Sequence, residues 1–287
     1  MSLRTAEGRL HLKRPLGARY HFASHSARPF PGICYITDTS DFCYYIPHEC
    51  ACQGRELNPV PPLPATRAAQ TTLAERAYFT LRDRLVTLAL PPGTPINDVA
   101  LARELQVGRT PLREAIKRLE MERLVVVYPR RGTFATEVNI ADLTDVADVR
   151  LVLEPHAAMR AAQMATELDR SRLREAISQI QAYVAEEQGN DPLMYLDMLA
   201  HRAIYRCTGN LYLESTLTQY HNLAIRIWCL FVQRLPNASQ HIEQHVDLLS
   251  AVINADATTA AALARAHVQN FQADILSVIG TASRLPD

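Results

Sequence analysis

Four side chains able to bind a metal ion fall on apolar helix faces in the second half of the sequence. In LDMLAHRAIY (196–205), Asp197 and His201 lie one helical turn apart, on a face otherwise built of leucine, alanine and isoleucine. His245 and His267 interrupt two later apolar faces in the same way. An unpaired buried charge costs on the order of several kcal/mol, so these four groups require a common partner.

A divalent metal ion would satisfy all four, since imidazole and carboxylate suit zinc first, and also nickel, cobalt or manganese. The alternative is a metal-free pocket, in which the same groups form a hydrogen-bonded network as most buried polar groups do. Three further histidines lack such company, and we expect them to be surface or packing residues: His156, His221 and His241.

Arg150 lies on the inner face of an earlier helix and points toward the same interior. One interpretation is an ion pair with Glu154 or Asp197. The other is a clamp for a carboxylate ligand, because the planar guanidinium matches that group with two hydrogen bonds. Arg226, in the middle of LAIRIWCLFV, is a second candidate for lining the pocket.

Six amphipathic segments after residue 139 must position these side chains, and none of them has the pattern of a strand. Short connections between them predict an all-α six-helix bundle over 139–287. The expected helices are 140–163, 167–188, 191–207, 210–234, 237–254 and 256–279.

A winged helix-turn-helix is predicted over 67–138. A helix capped by Thr72 precedes a short helix from about 97 to 105, and then a tight turn at Gly108 leads to a second short helix that Thr110 can cap. The β-rich runs LVVVYP and TFATEV flank PRRG, as expected of a two-stranded wing that turns at Gly132.

Cationic side chains follow this motif, as expected of a surface that contacts DNA phosphates. Arg109 and Arg113, near the start of the second short helix, are candidates for contacting base edges in the major groove. Residues that we expect at the DNA backbone or minor groove are Thr110, Lys117, Arg130 and Arg131, with Gly132 at the wing tip. Residues 67–137 carry 12 Lys and Arg against 8 Asp and Glu.

Residues 1–66 show no sustained period and end in the proline-rich NPVPPLPAT, which indicates an irregular extension and linker. Within them ICYITDTSDFCYYIP could form a short hairpin. The 6 cysteines match neither a disulfide scaffold nor a common zinc module. We find no apolar run long enough to span a bilayer and no export signal, so the cytoplasm is the expected location.

The stretch LALPPGTPINDVALARELQVGRTPLREAIKRLEMERLVVVYPRRGTFA resembles the winged-helix domain of the GntR family of bacterial transcription regulators, whose turn and recognition helix commonly read like SRTPVREAL. The resemblance implies operator DNA binding through this domain. Two departures stand out: Gly108 replaces the usual serine, and Arg123 occupies the place of a glycine before the wing.

The all-helical half is similar to the FCD domain, the ligand-binding domain of the FadR branch of that family, in ADVRLVLEPHAAMRAA, LDMLAHRAIYRCTGN and EQHVDLLSAVINADATTAAALARAHVQN. The resemblance implies that Asp197, His201, His245 and His267 bind a metal, and that Arg150 contributes to binding a small organic acid. CTGN at 207–210 departs slightly from the commoner ASGN.

We therefore expect a homodimeric, metal-containing regulator whose two winged helices read a near-palindromic operator. Repression relieved by a carboxylate effector is the expected mode. The rival hypothesis is a metal-dependent enzyme in which the bundle activates water or oxygen and the winged helix is accessory. Against it, the inner helix faces offer no further group as an obvious general base.

Overall fold

The structure, a computed structural model, describes residues 33–36, 44–47, 72–185, 193–235 and 238–282. Strands β1 (Ile33–Ile36) and β2 (Tyr44–Pro47) form an antiparallel hairpin that pairs Cys34 with Ile46. The short hairpin expected in the extension is thereby confirmed. The remainder of the predicted extension and linker lies outside the described residues.

Three helices follow, α1 (Leu73–Val86), α2 (Asp98–Glu104) and α3 (Arg109–Met121). Thr72 caps α1 as predicted: its hydroxyl accepts the backbone N–H of Glu75 at 3.1 Å, and the Glu75 carboxylate accepts the N–H of Thr72 at 2.9 Å. Asn97 caps α2 by accepting two backbone N–H groups. The inner faces of α1 and α3 bury mainly aliphatic side chains against each other.

The cap predicted for α3 is wrong. Gly108, not Thr110, is the N-cap residue, and it offers no side chain to the helix terminus. Thr110 lies inside the first turn and is exposed, so its hydroxyl is not occupied by that capping role. The serine that usually stands at position 108 in the resembling family would have supplied this hydrogen bond.

The wing is a three-stranded antiparallel sheet in the order β3 (Pro95–Ile96), β5 (Gly132–Ala135), β4 (Val125–Tyr128). Strands β4 and β5 are the predicted pair, whereas β3 is too short to show a period in the sequence. The hairpin closes with Tyr128 opposite Gly132, whose φ of +100° favours glycine. The predicted turn at Gly132 is confirmed.

The C-terminal half contains six α-helices among the described residues, as predicted, and one short 3-10 helix, Val232–Arg234. The α-helices are α4 (Asp142–Met164), α5 (Glu167–Ala185), α6 (Leu193–Cys207), α7 (Leu211–Phe231), α8 (Ala238–Ile253) and α9 (Ala257–Ala282). Gly209, with φ +61°, reverses the chain after α6, and Asn210 then caps α7 by accepting two backbone N–H groups. No helix within the described ranges is long and apolar enough to cross a bilayer.

Candidate metal centre and nucleic-acid interface

Helices α6, α8 and α9 bring together the four predicted metal-binding residues, Asp197, His201, His245 and His267, which we call the four-donor cluster. One ligand atom from each lies within 4.8 Å of the other three, and all four residues are buried. The helical repeat explains the local arrangement: Asp197 and His201 are four residues apart on α6 and so share one face.

The spacing of these atoms suits a bound ion. His201 Nε2 lies 3.1 Å from His267 Nε2 and 3.9 Å from Asp197 Oδ1, and His245 Nε2 lies 3.6 Å from the same oxygen. A tetrahedral ion with bonds of about 2.0 to 2.1 Å would hold its ligand atoms roughly 3.4 Å apart. Nitrogen and oxygen donors of this kind fit zinc, nickel, cobalt or manganese.

In each imidazole of the four-donor cluster, Nε2 belongs to the cluster and the second ring nitrogen, Nδ1, lies near an oxygen that can accept a hydrogen bond. His201 Nδ1 lies 3.3 Å from Glu154 Oε2, and His245 Nδ1 lies 3.1 Å from the carbonyl oxygen of Ile242. His267 Nδ1 lies 3.3 Å from Oε1 of Gln244. Donation of Nδ1–H to these acceptors leaves Nε2 as a bare lone pair that faces Asp197, the form that binds a metal.

The electrostatics favour a carboxylate at Asp197 and neutral rings at His245 and His267. Burial alone would raise the pKa of the Asp197 carboxyl, but His201 and neighbouring histidines hold that pKa well below its usual range. Burial lowers the pKa of His245 to about 3, although Asp197 opposes the shift. Burial, together with His241 and His245, also holds the pKa of His267 well below its ordinary value. An Asp197 carboxylate and neutral imidazoles at His245 and His267 therefore coexist in this interior.

Arg150 faces the same interior and pairs there with Glu154. The Arg150 Nε donates to Glu154 Oε1 at 2.6 Å, and each side chain is 3% exposed. Glu154 Oε1 also accepts the Tyr205 hydroxyl at 2.9 Å. Burial raises the pKa of the Glu154 carboxyl, but Arg150 and His201 outweigh it and lower that pKa far below the usual range. Of the two interpretations of Arg150, the ion pair with Glu154 is present in the structure.

The assignment of His221 and His241 to surface or packing positions is wrong, because both lie beside Asp197. His221 Nε2 is 3.2 Å from Asp197 Oδ2, and His241 Nε2 is 3.6 Å from Asp197 Oδ1. His241 precedes His245 by one helical turn, a spacing that could have revealed it. His221 is the only histidine on α7, so no spacing between histidines on that helix points to it. His156 is exposed, as expected.

Arg226 does not line the pocket, and that prediction is corrected. Its Nη1 donates to the Thr136 hydroxyl at 2.5 Å, and its Nη2 donates to the Thr136 carbonyl at 2.6 Å. Thr136 directly follows β5, so this arginine fastens α7 to the base of the wing. The pattern placed Arg226 inside the molecule correctly, but a single helix period does not reveal which neighbour a buried side chain meets.

A second contact joins the bundle to the winged helix through α6. Arg202 directly follows His201, about 100° further round the helix, and its Nη2 lies 3.5 Å from Asp83 Oδ1 on α1. Asp83 Oδ1 also accepts a hydrogen bond from Nη2 of Arg82 at 2.7 Å. Burial, with Arg82 nearby, lowers the pKa of Arg202 to about 10. Helix α6 therefore carries two members of the four-donor cluster, and α7 carries His221 beside it, while each of the two helices also carries one arginine that contacts the winged helix.

All seven predicted DNA-contacting residues are exposed. Arg109 occupies the first turn of α3, and the helical repeat places Thr110, Arg113 and Lys117 on one side of that helix, opposite its buried face. We call these four residues the recognition-helix face. The wing tip carries the other three, Arg130, Arg131 and Gly132, with the guanidinium carbon of Arg131 5.6 Å from the centre of the Tyr128 ring.

Family models match both halves of the chain. The model for bacterial regulatory proteins of the GntR family matches residues 73–135, and the model for the FCD domain matches residues 145–270. FCD domains often bind a metal, and the four-donor cluster lies within the matched range.

Curated relatives are similar over most of their own length. The Nta operon transcriptional regulator of Aminobacter aminovorans is 30% identical over 190 residues, which cover 66% of this chain and 87% of the relative. The HTH-type transcriptional repressor RspR of Escherichia coli is 25% identical over 217 residues, covering 76% and 89% respectively. These relatives are named as transcriptional regulators rather than as enzymes.

Solved structures share the fold. McbR/YncC of E. coli superposes with a TM-score of 0.64 at 23% identity, covering 72% of this chain and 99% of that one. A transcriptional regulator GntR from Rhodococcus sp. RHA1 gives a TM-score of 0.56 at 20% identity, covering 71% and 97%. The chain belongs to the GntR family of bacterial regulatory proteins, as a ligand-responsive DNA-binding transcriptional regulator whose helical half is an FCD domain.

Proposed function

We propose that this regulator is a cytoplasmic repressor that leaves its operator when a small carboxylate binds at a metal ion inside the bundle. The observation that carries the proposal is the dual role of α6 and α7. His201 belongs to the four-donor cluster and His221 lies beside it. Arg202 and Arg226, on the same two helices, contact the winged helix. A ligand that shifts either helix therefore acts on both halves at once.

The four-donor cluster would hold the ion, with zinc as the first candidate and nickel, cobalt or manganese as alternatives. Asp197 would supply one carboxylate oxygen, and His201, His245 and His267 would supply Nε2 atoms. The ion offers an effector carboxylate a positive charge inside the bundle. The outer contacts of the three imidazoles support this role, because each gives Nδ1 a polar partner and leaves Nε2 free to bind the ion.

Arg150 is the proposed second contact for the effector carboxylate. It is buried, and its guanidinium carbon lies 5.5 Å from the centre of the Phe271 ring. Because Glu154 already neutralises this guanidinium, an effector would have to share Arg150 with Glu154 or displace that carboxylate. Competition of this kind would move α4 when the effector binds. The effector would then bind the DNA-bound and DNA-free forms with different affinities, and coupling between the two sites requires such a difference.

On the DNA side, we propose that Arg109 and Arg113 contact base edges in the major groove, where arginine pairs with guanine. Thr110 and Lys117 would contact phosphates, and the wing tip would contact the backbone or minor groove. A homodimer would place two recognition helices on the halves of a near-palindromic operator. The exposure of all seven residues supports these assignments.

The test is a binding assay on metal-loaded protein with an operator selected from random duplexes. Small carboxylic acids are screened by thermal shift, because a ligand of the folded state raises the melting temperature. Any acid that binds is then titrated into the protein–DNA complex. We expect release of the DNA by wild type, and we expect Arg150→Ala to bind DNA normally but to resist release.

Arg174→Ala is the matched control, since that arginine is exposed on α5 and pairs with Glu167. It should respond like wild type. If no carboxylic acid raises the melting temperature, or if Arg150→Ala releases DNA at the wild-type effector concentration, the proposed effector site is wrong.

A further inference from the structure

His221 on α7 is a buried imidazole beside the four-donor cluster, and neither of its ring nitrogens makes a hydrogen bond to the described residues. It is 1% exposed, and its ring lies 4.2 Å from the ring of His201, centre to centre. Burial and the nearby His201 lower the pKa of His221 to about 4. Such a group is costly to bury unless it serves a polar partner.

The two oxygens of Asp197 face different histidines. Oδ1 points toward the interior of the four-donor cluster, 3.6 Å from His245 Nε2 and 3.9 Å from His201 Nε2. Oδ2 lies 3.2 Å from His221 Nε2. A carboxylate that binds a metal through one oxygen needs a donor at the other oxygen to stay in that orientation.

The other three members of the four-donor cluster already have such an outer partner. Glu154 serves His201, the Ile242 carbonyl serves His245, and Gln244 serves His267. Asp197 is the remaining member, and the group at its outer oxygen is His221. We infer that His221 is a positioning residue: its Nε2–H holds Asp197 Oδ2, so that Oδ1 is directed at the metal ion.

A competing role for His221 is that of a direct ligand. Glu154, His201 and His221 form a second set of donor atoms within 4.8 Å of one another. A dication there would, however, lie against the Arg150 guanidinium, which is 2.6 Å from Glu154. It would also compete with the contact between His201 Nδ1 and the Tyr205 hydroxyl at 3.1 Å. Charge repulsion thus favours the positioning role.

The inference rests on the proposed metal site, and its test compares His221→Leu and His221→Gln with wild type. Leucine removes the donor, whereas the glutamine amide can replace Nε2–H. We expect His221→Leu to bind zinc about 10 to 100-fold more weakly, in a competition titration against a chromophoric chelator, because loss of an outer partner typically costs that much. His221→Gln should recover most of the affinity. Each form should still hold one ion per chain by elemental analysis.

The control is His156→Gln, an exposed histidine on α4, whose zinc affinity should equal that of wild type. Unfolding of the metal-free variants checks that they fold. Zinc affinity that is unchanged in His221→Leu would overturn the inference while leaving the metal site intact. Two ions per wild-type chain, one of them lost in His221→Leu, would make His221 a ligand instead. A wild-type chain that binds no ion would overturn both proposals.

Nitrogen NMR of the zinc-loaded wild-type protein decides the point even if the leucine variant does not fold. We expect His221 Nε2 to carry a proton, and we expect the Nε2 atoms of His201, His245 and His267 to show metal coordination. A coordinated or unprotonated Nε2 in His221 would contradict the positioning role.

Discussion

The recognition-helix face and the four-donor cluster place similar kinds of polar side chain in opposite surroundings. On α3, Arg109 and Arg113 are exposed and hydrated. In the bundle, the four members of the four-donor cluster are 0–2% exposed, so each must find a partner within the protein. The difference teaches that one exposed residue of the recognition-helix face can be replaced with little effect on the others, whereas replacing one member of the four-donor cluster leaves the other members without a partner.

The largest effect is expected at the cluster itself. His245→Ala together with His267→Ala removes two of the four donors, and the remaining two cannot hold an ion against a chelator. We expect metal content to fall to background, a larger loss than the roughly 10 to 100-fold typical of an outer partner. Elemental analysis after dialysis measures it. A double variant that keeps one ion per chain would show that these residues are not ligands.

The next largest effect is expected from Glu154→Gln, which keeps the side-chain volume but leaves the Arg150 charge uncompensated. Breaking one side of a buried ion pair costs about 3 to 5 kcal/mol. Denaturant unfolding of the metal-free protein should show this loss. The double change Arg150→Met and Glu154→Leu should recover part of it, because it removes both charges. A single-variant loss below about 1 kcal/mol would argue against a desolvated pair.

A smaller effect, of a different kind, is expected on α3. Arg113→Ala should weaken specific operator binding by about 1 to 3 kcal/mol, the usual worth of one good base contact. Its stability should change by no more than about 0.5 kcal/mol, because the side chain is exposed. Metal content should stay at the wild-type value. Fluorescence anisotropy with specific and random duplexes makes the measurement, and equal affinity for the specific duplex would refute the assignment.

The smallest effect is expected on the free energy of unfolding, from a substitution at Arg123 just before the wing. Arg123 has φ +61°, where a side chain typically costs about 1 kcal/mol or more relative to glycine. Arg123→Gly relieves that strain but increases the freedom of the unfolded chain by about 0.4 to 1 kcal/mol. We therefore expect a net gain in unfolding free energy of less than about 1 kcal/mol. A loss of stability would mean that the arginine makes compensating contacts.

The two regions also differed in how far the sequence could predict them. Periodicity, Thr72 as a cap and Gly132 as a turn residue are local signals, and they are enough to predict the winged helix and the six helices. The inward position of the four donors followed from the same period. The cap of α3 was misjudged because Gly108 takes that position without a side-chain hydrogen bond.

What the sequence did not predict depends on contacts between distant segments. His221 reaches Asp197 from another helix, and Arg226 reaches Thr136 from another part of the chain, and neither contact leaves a pattern along the sequence. Glu154 was considered as a partner of Arg150 because it lies one turn away. The contact between Glu154 and His201 could not be predicted in this way, because it forms only when α4 packs against α6.

The different partners of the neighbouring residues His201 and Arg202 have a consequence for how such a regulator can change over time. If the proposed function is correct, substitutions inside the bundle should alter which acid is recognised, and substitutions on α3 should alter which operator is bound. We expect the strength of the response to depend on a third group of positions, Arg202 with Asp83 and Arg226 with Thr136, which link the two halves. Sensitivity can therefore be adjusted without losing either specificity.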